Sequence, residues 1–350
     1  MTVIDPVAPV LVTGGGGYVA SWIVRYLLED GYTVRATVRN PVKPKGLEHL
    51  HELSAAHPSK LTLRAADLLD EGSFTEAMQG CELVVHTASP FLLGKIKDPE
   101  ALLVRPALQG TRNVLASVNA TESVKRVVLT SSVAAVYGDN ADMKGKECFT
   151  EDDWNTTSSV DHQPYAYSKT VAEREAWAIQ AAQDRWDLIT IHPGLVLGPS
   201  LTTASNSGSM TTMQHFTDHT MAAGAQALQM GVVDVRDVGR VHIKAGFTPE
   251  AHGRYITVAE TISLLKISKI LTEAFGRRLS FPRIELPKVL IKLGAPVAGL
   301  TAKFVDRNVG WPLAFDNSRT VRALGIEFRP AGESVVEHFQ QMIDDGLVKP

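Results

Sequence analysis

Residues 10–20, VLVTGGGGYVA, join a short apolar run to four glycines and then to a stretch of helical character. Glycine lets the backbone turn tightly and approach a pyrophosphate closely, and the helix that follows presents unpaired N–H groups to phosphates. Gly14, Gly17 and Ala20 have the spacing of a dinucleotide-binding turn, in which the small third residue lets the helix pack on the strand. A plain glycine-rich turn is the alternative, but the strand before it and the helix after it favour dinucleotide binding.

Strand-like runs alternate with helical patterns through the first half of the chain. This order is typical of right-handed βαβ units, and it predicts an α/β fold with a Rossmann-type, doubly wound parallel sheet. The predicted strands are 10–13, 33–38, 61–65, 83–87, 126–131 and 188–192, and the predicted helices are 18–30, 45–56, 99–119 and 165–185.

The pattern changes after residue 199. A stretch rich in Ser, Thr and Asn at 200–212 predicts a loop, and residues 215–228 have the character of a helix. We expect a Rossmann domain over 1–199, which also receives 231–250, and a smaller α+β substrate-binding lobe made mainly of 200–350. The later predicted elements are strands at 231–235 and 254–258 and helices at 263–275 and 332–344.

The composition argues against several kinds of partner. The 350 residues carry a net charge of −3, so the chain lacks the basic excess with which proteins bind nucleic acid or anionic membranes. No apolar run is long enough to span a bilayer, and no signal peptide is recognised. With two cysteines, Cys81 and Cys148, the chain suits a reducing compartment. We expect a cytoplasmic monomer or homodimer that acts on a small molecule.

The second predicted strand indicates which cofactor the glycine turn binds. No acidic residue lies between Tyr32 and Pro44, where an NAD-binding protein would hold the ribose 2′-hydroxyl. Cations occur there instead, and a cation can hold the 2′-phosphate of NADP. Arg39, at the strand end, is the first candidate, whereas Arg35, inside the strand, could point elsewhere. A solvated run of charges is the alternative; NADPH/NADP is favoured.

A tyrosine and a lysine lie four residues apart at the start of a predicted helix, so Tyr165 and Lys169 share one face. A free tyrosine has a pKa near ~10, and a nearby ammonium lowers it by favouring the phenolate. Such a phenol can give its proton to an oxygen while a hydride reaches the attached carbon. Thr130, Ser131 and Ser132 end the fifth predicted strand and offer hydroxyls at the same sheet edge. Each pattern alone is common, but their order along the chain makes coincidence improbable.

At this point the chain resembles the extended short-chain dehydrogenase/reductase superfamily. It is most similar to the branch of plant dihydroflavonol reductases, cinnamoyl-CoA reductases and microbial aldehyde and carbonyl reductases. The resemblance covers nearly the whole chain and is tightest up to Pro199. It is carried by residues 14–22 (GGGGYVASW), 31–39 (GYTVRATVR), 86–90 (HTASP), 129–132 (LTSS), 165–169 (YAYSK), 192–199 (HPGLVLGP) and 315–318 (FDNS).

The resemblance implies roles for individual residues. Ser132 would hold the substrate oxygen, Tyr165 would be the acid, and Lys169 would bind the nicotinamide ribose while lowering the pKa of the tyrosine. No metal is implied. The implied cofactor contacts are Thr13, Gly14, Gly16, Gly17, Tyr18 and Val19 at the phosphates; Arg39 and, more weakly, Lys45 at the 2′-phosphate; Asp67 and Leu68 at the adenine; Thr87, Ala88 and Ser89 beside ribose and phosphates; Thr130 and Ser131 at the strand end; Tyr165 and Lys169; and Pro193, Gly194, Leu195 and Val196 at the nicotinamide.

Two departures from the plant enzymes narrow the substrate. Cinnamoyl-CoA reductases carry Asn-Trp-Tyr-Cys-Tyr around the catalytic tyrosine, where residues 163–167 here are QPYAY. Plant dihydroflavonol reductases carry an asparagine where Tyr137 stands. We therefore expect an NADPH-dependent reductase of aldehydes, ketones or keto esters. The alternatives are a nucleotide-sugar epimerase or dehydratase with retained NAD(P) and, ranked lowest, a non-enzymatic cofactor sensor.

Overall fold

Seven parallel strands form the main sheet of the protein. The computed structural model describes residues 1–43, 45–89, 97–202, 208–218, 220–221, 223–276, 279–295 and 300–348. The strands in chain order are β1 Val10–Thr13, β2 Val34–Val38, β3 Leu61–Ala65, β4 Leu83–His86, β5 Arg126–Thr130, β6 Asp187–Pro193, β7 Leu195–Leu197, β8 Gln229–Asp234, β9 Gly253–Thr257 and β10 Glu260–Ser263. The main sheet has the order β3-β2-β1-β4-β5-β6-β9, and a smaller sheet has the order β10-β8-β7.

Helices cover the main sheet and build the rest of the chain. They are α1 Tyr18–Glu29, α2 Glu48–Ala56, α3 Thr75–Met78, α4 Arg105–Asn119, α5 Pro164–Ala181, α6 Gly208–Gln214, α7 Val235–Phe247, α8 Leu264–Phe275, α9 Lys288–Gly294, α10 Ala302–Asn308, α11 Ser318–Leu324 and α12 Ala331–Asp344. A short π-helix, Glu100–Val104, precedes α4. The predicted doubly wound α/β fold is confirmed.

The central strands form because both of their faces are covered. All four residues of β1 and all four of β4 are buried, as expected for parallel strands between two helical layers. The helix α1 packs its buried residues, among them Trp22 and Ile23, into the same core as Val241 of α7. It ends at Glu29, and Gly31 then takes φ +88°, a left-handed conformation that suits glycine after a helix.

The order of the strands determines where a ligand can bind. The strands β1 and β4 are neighbours, with Thr13 opposite His86, and the chain leaves them towards opposite halves of the sheet. In open α/β sheets such a reversal leaves a crevice at the carboxyl ends of the strands. The glycine turn of residues 14–17 and the segment from Thr87 to Ser89 both lie at this edge.

The second half of the chain differs from the sequence prediction in two ways. The helix predicted at 215–228 is wrong: the described residues of this segment form turns and one bridge, between Ala225 and Glu285. Gly224 has φ +144°, which no helix accommodates, and α6 lies instead in the segment predicted as a loop. The sheet also extends past the boundary predicted at residue 199, because its seventh strand is β9. Among the described helices, none has the length and apolarity needed to cross a membrane.

Candidate active site

Two hydroxyl groups meet at the carboxyl end of β5. Ser132 follows this strand in an extended conformation and caps a short 3-10 turn, Val133–Ala135, where its Oγ accepts the amide of Ala134 at 3.1 Å. The side chain of Ser132 also interacts with the phenol of Tyr165 and lowers the pKa of that phenol. Because the serine oxygen already accepts the amide, its own hydrogen is available to the phenol or to a substrate oxygen.

Tyr165 lies in the first turn of α5, which begins at Pro164. Burial raises the pKa of Tyr165 to about 12, and the interaction with Ser132 opposes that rise. The sequence prediction was that Lys169 lowers this pKa. The pKa is instead raised, because the cost of burying a phenolate is the largest influence on it and the interaction with Ser132 only partly opposes that cost. At neutral pH the phenol is therefore protonated, which is the form that a proton donor requires.

Lys169 lies one helical turn beyond Tyr165 and reaches the end of β4. Its Nζ donates to the hydroxyl of Ser89 at 3.3 Å, across the crevice. Burial lowers the pKa of Lys169 to about 8, and the charge of Glu173 opposes that shift. The structure thus brings together the serine, tyrosine and lysine that the sequence singled out.

A buried carboxylate that sequence reasoning missed lies one further turn along α5. Glu173 accepts hydrogen bonds from Ser131 Oγ at 2.6 Å, from His192 Nε2 at 2.8 Å and from Arg254 Nε at 2.8 Å. Burial alone would raise its pKa, but His192 and Arg254 hold it well below the ordinary range. The spacing Tyr165, Lys169, Glu173 on one helix face was the signal that could have revealed it.

Two residues predicted as cofactor contacts use their hydroxyls inside the protein. Ser131 is committed to Glu173, and the Oγ1 of Thr130 lies 2.7 Å from Nε2 of the buried His242. Both hydroxyls have therefore used their hydrogens inside the protein, and their side chains could meet a cofactor only as acceptors. Ser132 is the member of the Thr-Ser-Ser run whose side chain faces Tyr165.

The glycine turn fits a pyrophosphate. Gly14 has φ +67°, and a Cβ there would lie 3.1 Å from the Cα of Ala88, so a side chain would close the gap between β1 and β4. The capping position of α1 is Gly17, and no side chain of the described residues caps this N-terminus. The first N–H groups of this helix, including those of Tyr18 and Val19, are consequently directed at the place where the phosphates of a dinucleotide would lie.

Thr13 and Tyr18, both predicted to contact the cofactor, have buried side chains with other partners. The Oγ1 of Thr13 accepts the amides of Thr87 and Ala88, each at 3.1 Å, and so joins the ends of β1 and β4. The hydroxyl of Tyr18 donates to the carbonyl of Gly198 at 2.6 Å. Any cofactor contact of these two residues could come only from their main chain.

The cations in and after the second strand have different surroundings in the structure. Arg35 lies inside β2, and its Nη1 donates to the carbonyls of Ala77 and Gln79. Arg39 follows β2 and is exposed, and within the described part of the chain no side chain pairs with it. Lys45 is exposed in the turn beyond it. Arg39 and Lys45 are therefore both exposed near the end of β2, and Arg39 is the one that follows the strand directly.

The other predicted cofactor contacts surround the same crevice. Asp67 is exposed and accepts the amide of Leu69 at 2.9 Å, while half-buried Leu68 lies against Gly110. Pro193 ends β6, and Gly194 leads into β7; a Cβ on Gly194 would lie 2.3 Å from the carbonyl oxygen of Gly231. The following Leu195 and Val196 are half-buried. The uncapped helix, the tight glycine turn and the free Arg39 together fit a dinucleotide with a 2′-phosphate.

Comparison with known proteins shows the family of this chain. The model of the NAD dependent epimerase/dehydratase family matches residues 10–255. A cinnamoyl-CoA reductase of Medicago truncatula is 36% identical over 339 residues, which cover 95% of this chain and 95% of that protein. A bifunctional dihydroflavonol 4-reductase/flavanone 4-reductase of Malus domestica is 34% identical over 325 residues, 91% of this chain and 86% of that protein.

A solved structure extends the comparison to the whole fold. The yeast methylglyoxal/isovaleraldehyde reductase Gre2, complexed with NADPH, superposes with a TM-score of 0.77 at 26% identity, covering 97% of this chain and 100% of that one. The resemblance predicted from the glycine turn, the serine and the tyrosine–lysine pair is thus confirmed. The chain belongs to the NAD dependent epimerase/dehydratase family, in the extended short-chain dehydrogenase/reductase superfamily.

Proposed function

We propose that this protein is an NADPH-dependent carbonyl reductase that converts an aldehyde, ketone or keto ester to the alcohol, with Tyr165 as proton donor. The observation that carries the proposal is the placement of Ser132 after β5 beside Tyr165 in the first turn of α5, with Lys169 one helical turn on and reaching Ser89 across the crevice. The names of the relatives support it, since the cinnamoyl-CoA, dihydroflavonol and methylglyoxal enzymes are all reductases.

NADPH, when bound, supplies the hydride that forms the new C–H bond. The glycine turn and the N-terminus of α1 would hold its pyrophosphate, and Arg39 its 2′-phosphate. Lys169 reaches the middle of the crevice, where its ammonium can bind a ribose hydroxyl. The absence of any acidic residue between Tyr32 and Pro44 favours NADPH over NADH.

The chain's own residues act on the carbonyl oxygen. Ser132 donates one hydrogen bond to it, which polarises the C=O bond and places the carbon for attack. As negative charge develops on this oxygen, Tyr165 transfers its phenolic proton to it, so that one hydride and one proton convert C=O to CH–OH. The ammonium of Lys169 stabilises the phenolate left behind.

The test is consumption of NADPH, followed by absorbance, with aromatic aldehydes, aryl ketones and β-keto esters. Tyr165→Phe should retain NADPH binding and lose about 10²–10⁴-fold in turnover, the usual contribution of a general acid. Tyr167→Phe is the matched control, because Tyr167 lies on the same helix two residues on and so points to a different face. It should keep turnover within about threefold of wild type, the range of substitutions away from such a site.

Two outcomes would contradict the proposal. Substantial turnover by Tyr165→Phe would remove the tyrosine from its role as proton donor. Absence of NADPH consumption with every carbonyl, together with tightly bound NAD and turnover of UDP- or GDP-sugars, would replace the reductase with the epimerase or dehydratase alternative.

A further inference from the structure

The residue two positions before Tyr165 has a strained backbone. Gln163 takes φ 58° and ψ 56°, and Ser59 is the one other non-glycine residue with a positive φ in the described part of the chain. A side chain is unfavourable in this left-handed region, and Pro164 restricts the preceding residue further. Such a conformation persists only where the surroundings hold it.

The contacts that hold Gln163 come from the loop after Ser132. Its Nε2 donates to the carbonyl of Gly138 at 2.5 Å and to Oδ1 of Asp139 at 3.2 Å. Next to it, Nε2 of His162 lies 2.9 Å from each carboxylate oxygen of Asp139. One buried carboxylate thus binds both residues that lead into Pro164 and the catalytic helix.

The same carboxylate is bound from the opposite side by the C-terminal part of the chain. From α10, Arg307 Nε donates to Asp139 at 2.5 Å and Asn308 Nδ2 donates to it at 2.7 Å. Arg307 also donates to Asp142 at 2.6 Å, and Asn308 accepts the amide of Asn140 at 3.0 Å. The loop and α10 are therefore joined by several hydrogen bonds, those of Arg307 and Asn308 to the buried Asp139 being charge-assisted, while 36% of the Arg307 side chain remains exposed.

The loop that carries Asp139 begins at Ser132 and is closely packed. After the 3-10 turn, a Cβ on Gly138 would lie 2.3 Å from Oγ1 of Thr157. The carbonyl of Ala134, inside that turn, accepts Nδ2 of Asn155 at 2.8 Å. A shift of Asp139 would consequently be transmitted both to Ser132 and to the start of α5.

We propose that Asp139 is a positioning residue: it holds Gln163 in its left-handed conformation and anchors α10, and it thereby places Tyr165 against Ser132. The proposal rests on the function proposed above, since it concerns the same pair of hydroxyls. Asp139 acts through Gln163 and His162, and the two hydroxyls meet the reacting oxygen.

Two variants and one control test this role. Asp139→Asn keeps the size of the side chain but removes the charge that faces Arg307. Gln163→Gly removes the amide donor and relaxes the backbone, because glycine adopts a positive φ freely. The control is Asp187→Asn, which breaks the bidentate ion pair with Arg126 at the opposite end of the sheet.

We expect Asp139→Asn to lower kcat about tenfold or more and Gln163→Gly about fivefold, because small misplacements of reacting groups have large effects on rate. The affinity for NADPH should stay within about twofold in both, because neither side chain is placed in contact with the cofactor. The melting temperature of Gln163→Gly should not fall, so that a lower kcat in this variant reports misplaced catalytic groups and not a less stable protein. Asp187→Asn should lower the melting temperature and keep kcat.

Hydrogen exchange provides a readout that needs no substrate. In Asp139→Asn and Gln163→Gly, the amides of residues 163 and 165–168 should exchange faster than in wild type, with those of the main sheet unchanged. Unaltered kcat in both variants would overturn the proposal. So would hydrogen exchange that accelerates evenly over the whole protein, as we expect for Asp187→Asn. If Asp139→Asn does not fold, the kcat and the hydrogen exchange of Gln163→Gly test the proposal. If the wild-type protein reduces no carbonyl, the proposed function is wrong. The hydrogen-exchange comparison still tests the role of Asp139 in that case.

Discussion

The hydroxyl of Ser131 donates a 2.6 Å hydrogen bond to the buried carboxylate of Glu173, while its neighbour Ser132 interacts with Tyr165 and lowers the pKa of that phenol. Successive residues of an extended segment point to opposite faces, so one serine faces the interior and the other faces the crevice. The two adjacent hydroxyls therefore have different partners and should respond differently to substitution.

Removal of each hydroxyl in turn should separate catalysis from stability. Ser132→Ala should lower kcat about 10²–10³-fold with NADPH binding retained, as for loss of one donor to a developing oxyanion. Ser131→Ala should keep most turnover and lower the free energy of unfolding by about 1–3 kcal/mol, because Glu173 loses a buried donor. Steady-state kinetics and thermal unfolding measure both effects. Equal losses of turnover in the two variants would contradict this division.

Replacement of Arg39 should change the cofactor preference. Arg39→Ala should lower the ratio of kcat/KM with NADPH to kcat/KM with NADH about 10–100-fold, the value of a charge-assisted hydrogen bond to phosphate. Arg35→Ala is the matched control, because the guanidinium of Arg35 is bound to carbonyls of residues 77 and 79. It should reduce stability and leave the ratio unchanged. A shifted ratio in Arg35→Ala alone would assign the phosphate to the other arginine.

Lys169 should produce an alkaline limit to activity. Burial lowers the pKa of Lys169 to about 8, so its ammonium is charged below that pH and is lost above it. Without the ammonium, the phenolate formed from Tyr165 is no longer stabilised, and kcat/KM for carbonyl reduction should fall about tenfold per pH unit above the pKa. In Lys169→Arg this alkaline limb should disappear, since a guanidinium stays charged. An unchanged limb in this variant would assign it to another group.

Glu173 should contribute strongly to stability and to its dependence on pH. Glu173→Ala leaves Arg254 buried without its carboxylate and should lower the free energy of unfolding by about 3–5 kcal/mol. The pKa of Glu173 is lowered in the folded protein from its ordinary 4.5, so its stabilisation is present above that pH and is lost as the pH falls through the folded value. Urea unfolding at pH 7 and at pH 3 should show the variant closer to wild type in acid. A constant difference between them would contradict this role.

Local patterns predicted the elements of the first half well. Strand β3 has the predicted bounds, and α1 begins at Tyr18 as predicted and ends one residue early. The helix predicted at 215–228 was wrong because Gly224 and the bridge from Ala225 depend on residues far along the chain. The seventh strand, β9, was assigned to the smaller lobe because its partner in β6 is remote in sequence.

The sequence by itself determined the βαβ order, the place of the glycine turn, the hydroxyl run at residues 130–132 and the pair Tyr165 and Lys169. These follow from hydrophobic periodicity and from spacings within one strand or helix, whereas the choice of Ser132 within its run came from the resemblance to the family. Tertiary structure alone decided which side chains remain available at the site. Whether Ser131 faces inward, whether Arg35 is bound and whether Glu173 and Asp139 are paired depends on groups that only folding brings within hydrogen-bond distance.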